Sequence, residues 1–175
     1  TTVVLADAAR SGVKSVYGGS VNAKVTGNST VLIKKRGDIH ADLNMDTITA
    51  DGSDANGNPA ESVVGDKTIT IQPAGADPIE VTAGTVSGFT ALNIGDGNTE
   101  SKDETVSGCN TVLTVTKRLD TWADTRKNDD RSASNLTLYH SELKVDIPAG
   151  ADGTAGHIGN ISSTGLCKIH VHRSR

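Results

Sequence analysis

The chain has 175 residues, a formal net charge of -4 at pH 7 and an aromatic content of only 2%. A chain of this length fits one domain over residues 1–175, and such a domain buries roughly 70% of the surface that its unfolded chain exposes. The net charge provides no overall attraction to nucleic acid or to anionic membranes, and no apolar run approaches the ~20 residues of a membrane-spanning helix.

Apolar and polar residues alternate in many short segments, which is typical of strands with one buried and one solvated face. The alternation is clearest in residues 39–46, where every odd position is apolar. About nine such segments, separated by Gly, Asn, Asp and Pro clusters, predict an all-β fold, an antiparallel β-sandwich or jelly roll. The predicted strands are residues 2–5, 21–26, 30–33, 39–46, 68–72, 79–83, 111–116, 136–147 and 166–172.

The long segment 136–147 changes phase in its interior. Leu136 and Leu138 share one face, whereas Leu143, Val145 and Ile147 share the other face with Tyr139. This change predicts a bulge, or a corner at which the chain leaves one sheet for another.

Helical signals are weak. The spacing of Leu119, Trp122, Ala123 and Arg126 predicts one or two helical turns, and residues 6–11 before Gly12 predict a single turn. The pentapeptide PAGAD occurs at 73–77 and again at 148–152, and we interpret it as one strand-ending turn used twice rather than as a duplicated domain.

A metal site is the main catalytic hypothesis, because His170 and His172 would lie side by side on one face of a strand. Zinc or iron needs three or four converging ligands, and the other histidines fall on separate segments. An edge strand with outward histidines and an inward Cys167, Ile169 and Val171 needs no metal. We therefore expect no catalytic residue, no metal and no cofactor; the remaining histidines are His40, His140 and His157.

Several short motifs have ordinary structural explanations. The oxygen-rich loop 51–58 does not fit the EF-hand register, so a hydrophilic loop tip is favoured over an irregular calcium loop. The RGD tripeptide at 36–38 fits a tight turn as well as a receptor motif. Cys109 and Cys167 permit one disulfide at most, and we interpret them as reduced thiols. Sequons occur at Asn28, Asn135 and Asn160 and are expected by chance in this composition.

The basic groups 34–36 and 168–175 contain no aromatic residue, so they suit an acidic partner protein better than nucleic acid. The four long polar loops, 51–60, 95–104, 124–134 and 148–159, suggest contacts with neighbouring subunits.

These features together predict a non-enzymatic structural subunit of a large assembly, most simply a capsid decoration protein or another virion surface protein. Terminal segments would contact other subunits, and a homotrimer is the first expectation. The chain begins with Thr1, which we interpret as removal of an initiator Met, so synthesis in a host cytoplasm is expected. Two alternatives remain: a cell-surface binding module or adhesin subunit, and a metal-dependent jelly-roll enzyme that uses His170 and His172.

Overall fold

The fold is all-β, but its strands are parallel. A computed structural model describes residues 1–6, 12–34, 43–73, 77–96, 108–121, 135–147 and 160–173. Two six-stranded sheets, A and B, contain only parallel pairs, and one two-stranded antiparallel ribbon stands apart from them. The prediction of an antiparallel β-sandwich or jelly roll is therefore wrong.

The chain winds as a solenoid, in which each turn contributes one strand to each sheet. Strand order within each sheet follows chain order, so every strand pairs with the equivalent strand of the turn before and the turn after. We call one such turn a rung, and the described residues form six. The strands of rungs one to three are β1 (Thr2–Ala6) with β2 (Ser15–Tyr17), β3 (Ser29–Lys34) with β4 (Leu43–Thr49), and β7 (Lys67–Gln72) with β8 (Ile79–Phe89).

The last three rungs follow the same pattern. Their strands are β9 (Ala91–Ile94) with β10 (Thr111–Thr121), β11 (Asn135–Tyr139) with β12 (Ser141–Ile147), and β13 (Asn160–Thr164) with β14 (Lys168–Arg173). The antiparallel ribbon, β5 (Gly52–Ser53) with β6 (Pro59–Ala60), lies in the long connection between β4 and β7.

The core lies between the two sheets and consists of stacked columns of aliphatic side chains. In each column, residues at matching register positions of successive rungs lie above one another, and the inner members are buried. One column in sheet B is Leu43, Val81, Leu113, Leu143 and Ile169. One column in sheet A is Val3, Val31, Ile69, Leu92, Leu136 and Ile161.

This geometry explains why the alternating pattern was misleading. Parallel sheets are normally covered on both faces and read as continuous apolar runs. In a solenoid each parallel strand has one face in the core and one in water, which gives the same period of two as an antiparallel strand.

The predicted corner in segment 136–147 is confirmed. β11 ends at Tyr139 in sheet A, β12 begins at Ser141 in sheet B, and His140 between them has a φ of 43°. That left-handed conformation is uncommon for a residue other than glycine, and it turns the chain from one sheet to the other.

Other local predictions fared unevenly. Segments 2–5, 30–33, 68–72, 79–83 and 111–116 are strands, whereas segment 21–26 makes only isolated bridges at Val21 and Val25. Leu119 lies in β10, so the helical turn predicted to start there is wrong at that residue; residues 122–126 and 7–11 lie outside the described segments. In the described part of the chain no helix could span a membrane.

Candidate interface at the last rung

The sixth rung exposes side chains that are equivalent to core residues. Ile161, Ile169 and Val171 end three aliphatic columns, yet they are 57%, 43% and 74% exposed. Their counterparts one rung earlier are buried, with at most 8% exposure: Leu136, Leu143 and Val145. The exposed residues therefore have the positions of core side chains, and the described residues contain no further rung that covers them.

The same rung has open backbone edges. β13 and β14 are the terminal strands of the two sheets, and within the described segments each pairs with one neighbour only. A terminal strand presents N–H and C=O groups that another strand can bind. Leu166, between these two strands, adds a fourth exposed apolar side chain. We call β13, β14 and the turn between them the last-rung surface.

The opposite end of the solenoid is better covered. Val3 and Leu5 of β1 and Val13 before β2 are only partly exposed, and all three pack against the core. Among the described residues, β1 exposes one large apolar side chain, Val4, whereas the last-rung surface exposes four.

The two histidines lie where the edge-strand interpretation expects them. His170 and His172 project from β14 to the outer face, while Ile169 and Val171 continue the core columns. The His170 Nε2 atom is 3.1 Å from Glu142 Oε1, and the His172 Nδ1 atom is 3.2 Å from Asp146 Oδ1. Each imidazole therefore faces a carboxylate of the preceding strand β12.

This arrangement does not form a recognisable metal centre. Over the described ranges, no group of three or more His, Cys, Asp and Glu side chains could hold a metal ion. His140 lies at the β11–β12 corner, where a Cβ atom at Gly165 would collide with its imidazole. His40 and His157 lie outside the described residues. The jelly-roll scaffold on which the enzyme alternative depended is absent, because the sheets are parallel.

The two cysteines lie near the last rung, and neither forms a disulfide. Cys109 is buried with its Sγ atom 3.9 Å from the carbonyl oxygen of Leu166, and the Sγ atom of Cys167 is 3.3 Å from that of Thr164. The structure thus contains no disulfide between them, in agreement with the interpretation as reduced thiols.

The oxygen-rich loop 51–58 uses the carboxylate oxygens of Asp54 in hydrogen bonds within the loop. Asp54 Oδ1 accepts hydrogen bonds from the backbone N–H groups of Asn56 and Asn58, and Asp54 Oδ2 accepts one from the Asn58 side-chain amide. These bonds lower the pKa of the Asp54 carboxyl, the Asn58 side-chain bond most of all. The loop tip is therefore held by its own hydrogen bonds.

A cleft of about 480 Å³ lies beside that loop. Its walls include Ser20, Lys24, Asp54 and Glu61, and none of its lining residues is aromatic. Its volume is in the range of small-molecule sites, and its lining combines charged, polar and aliphatic residues.

A buried ion pair at the corner after β4 was not predicted from the sequence. The Lys67 Nζ atom lies 3.6 Å from Asp51 Oδ2, and the two side chains are 0% and 5% exposed. A signal was present, because Lys67 has the inward phase of Ile69 and Ile71. A charged residue in the apolar phase of a strand indicates a buried partner.

The remaining motifs contribute little to a site. The RGD tripeptide and most of the basic group 34–36 lie outside the described residues. Among the sequons, Asn28 accepts a hydrogen bond from the backbone N–H of Asp66, and Asn160 donates one to Asn135 across adjacent strands. The basic residues Lys168, His170 and His172 belong to the outer face of the last-rung surface.

Comparison with known proteins yields no relative. No protein-family model matches the chain, no curated protein matches it, and no solved structure matches it.

Proposed function

We propose that the protein is a non-enzymatic structural subunit that binds a neighbouring protein subunit through its last-rung surface. The single observation that carries the proposal is the exposure of Ile161, Ile169 and Val171 at the ends of columns that are otherwise buried. Removal of apolar area from water stabilises association by roughly 25 cal/mol per Å² before the costs of association are subtracted.

The backbone edge supports the same proposal. A strand from a neighbour that pairs with β14 would satisfy its open N–H and C=O groups and would cover Ile169 and Val171 at the same time. Main-chain hydrogen bonds then provide affinity, and packing of the inward-pointing side chains against the exposed ends of the columns provides specificity.

Self-association is the form of assembly that we propose. Pairing of two last-rung surfaces gives a closed dimer, whereas pairing with the first rung of another copy gives an open filament. The trimer expected from the sequence stays a prediction. A capsid or virion has no support in the fold or in the comparisons, so we propose an assembly without assigning it to a virus.

The test is the particle mass of the full chain by light scattering, with metal analysis of the same sample. We expect a metal-free oligomer that Val171→Lys converts to smaller species, because burial of an unpaired ammonium opposes association. Val4→Lys is the matched control: Val4 is 54% exposed on β1 at the other end of the solenoid. A wild-type monomer up to its solubility limit would contradict the proposal. Equal effects of both variants would contradict the closed dimer and would indicate the open filament, in which the first rung with Val4 is the partner surface.

The cleft beside the loop favours a second candidate, a cell-surface binding module. Its charged side chains, Lys24, Asp54 and Glu61, could bind a small polar ligand. A stable monomer in the light-scattering experiment would make this the better candidate. A stoichiometric zinc, iron or manganese ion would instead revive the enzyme alternative.

A further inference from the structure

The buried side chains of Lys67 and Asp51 bring an amine and a carboxylate close together. Lys67 begins β7 in rung three, and its ammonium is completely buried. Asp51 follows β4 of rung two, and its Oδ2 atom lies 3.6 Å from Lys67 Nζ. Lys67 is held by its strand in sheet A, and Asp51 is held in the bend after β4 by hydrogen bonds to its Oδ1 atom. The fold therefore keeps the two groups close together.

The other oxygen of Asp51 lies among backbone donors. Asp51 Oδ1 accepts hydrogen bonds from the N–H groups of Gly52 at 2.9 Å, Ser62 at 2.6 Å and Val63 at 2.8 Å. The Ser62 hydroxyl lies 3.3 Å away. Donors fixed around one oxygen stabilise the negative charge that develops there when a nucleophile attacks the carbon.

We propose that Lys67 and Asp51 form an intramolecular isopeptide bond. One proton first moves from the Lys67 ammonium to Asp51 Oδ2, which gives a neutral amine and a neutral carboxylic acid. This transfer supplies the neutral amine that the attack requires, because an ammonium has no lone pair. The amine lone pair then attacks Cγ, and the electrons of the C=O bond move to Oδ1.

The tetrahedral intermediate collapses by restoring the C=O bond at Oδ1 and breaking the Cγ–Oδ2 bond. Oδ2 takes a second proton from the nitrogen and leaves as water. The product is a secondary amide with one N–H group, and the pair supplies every atom and proton of the reaction. The reaction also removes two buried charges, whose desolvation opposes the ion pair.

The bond would join rung two to rung three across the long connection that carries β5 and β6. A covalent link at this place prevents the ribbon and the two rungs from separating, even when the hydrogen bonds between them open. The inference is independent of the proposed function, because Asp51 and Lys67 are distant in the rung order from the last-rung surface.

The test is the intact mass of the denatured full chain. We expect a mass lower than that of the sequence by one water molecule, and a tryptic map in which the peptides that contain Asp51 and Lys67 are joined. Trypsin should not cleave after Lys67, because an acylated lysine carries no charge. A full-length mass with normal cleavage after Lys67 would overturn the proposal.

Two variants and an internal control sharpen the experiment. Lys67→Arg should show the full mass, because the guanidinium is not a nucleophile, and Asp51→Asn should form the same bond with loss of ammonia. The internal control is the pair of Lys144 Nζ and Glu142 Oε1, 3.8 Å apart, which should stay unlinked because its lysine is 41% exposed although its carboxylate is buried. If a variant does not fold, the wild-type mass alone decides the question.

Discussion

At the residue scale, Asp54 provides a direct test of the loop geometry. The folded state lowers the pKa of Asp54 below its ordinary value of 3.8, chiefly through the hydrogen bond from the Asn58 side chain. A lowered carboxyl pKa stabilises the loop above pH 3.8, and this contribution is lost as the pH falls through the folded pKa.

We expect Asn58→Ala to raise the pKa of Asp54 toward 3.8, because the variant removes the side-chain donor and retains the backbone one. The measurement is an NMR titration of the carboxyl carbon. Asn44→Ala, on the exposed face of β4, is the control and should leave this pKa unchanged. An Asp54 pKa that is equal in the wild type and in Asn58→Ala would show that the amide does not bind the carboxylate in solution.

The sequence indicated some residue roles and missed others. The outward direction of His170 and His172 followed from the period of two alone. The partners of these histidines, Glu142 and Asp146, depend on the register between β12 and β14, which a single sequence does not specify. The same limit applies to Lys67, whose phase suggested burial but whose carboxylate partner lies on another rung.

At the scale of elements, the loss of folding stability when a core side chain is shortened to alanine should depend on the rung that carries it. Leu113 and Ile169 occupy the same column of sheet B, with Leu143 between them. Leu113 is fully buried, whereas Ile169 is 43% exposed. We expect Leu113→Ala to lower the free energy of unfolding by about 2–5 kcal/mol, because it leaves a cavity between two rungs.

Ile169→Ala should cost roughly 1 kcal/mol or less in the monomer, since little packing is lost at an exposed position. Urea unfolding of both variants at a concentration where the protein is monomeric measures the difference. Equal losses would mean that the sixth rung is covered in solution, and the last-rung surface would then be unavailable to a partner.

Strand positions were predicted from the sequence more successfully than strand partners. Segments such as 68–72 and 79–83 alternate cleanly because one face meets the core and the other meets water. The same alternation fits parallel and antiparallel pairing when only one face is covered, so the pattern could not decide between them. The strands β2, β5, β6 and β9 were missed, because two to four residues give too little alternation to detect. The five-residue strand β13 was also missed, because Ile161 is its only apolar residue.

At the scale of the whole molecule, unequal connections hide the repeat. The rungs begin at Thr2, Ser29, Lys67, Ala91, Asn135 and Asn160, so no constant period appears in the sequence. A solenoid is recognised from sequence by such a period, since each rung contacts only its neighbours and can repeat the same pattern. The long connection between β4 and β7 and the other long connections differ in length, so the distance in sequence from one rung to the next is not constant.

Nearest-neighbour architecture also determines what removal of the end of the chain should do. Deletion of residues 166–175 removes β14, which pairs only with β12 among the described strands. The inner rungs keep their columns, so we expect the truncated chain to retain its β-sheet circular dichroism and its cooperative unfolding. Self-association should weaken more than monomer stability, because the deleted segment carries Leu166, Ile169 and Val171 of the proposed interface.

Light scattering and urea unfolding of the truncated and full chains separate these two effects. The full-length variant Val171→Lys keeps β14 but replaces one of its exposed apolar side chains. It should lose association as the truncated chain does, and it should lose less stability than the truncated chain. Outright unfolding of the truncated chain would mean that β14 is required to close the core, and its exposure would then not indicate a partner. Retained folding with unchanged association would place the interface elsewhere on the solenoid.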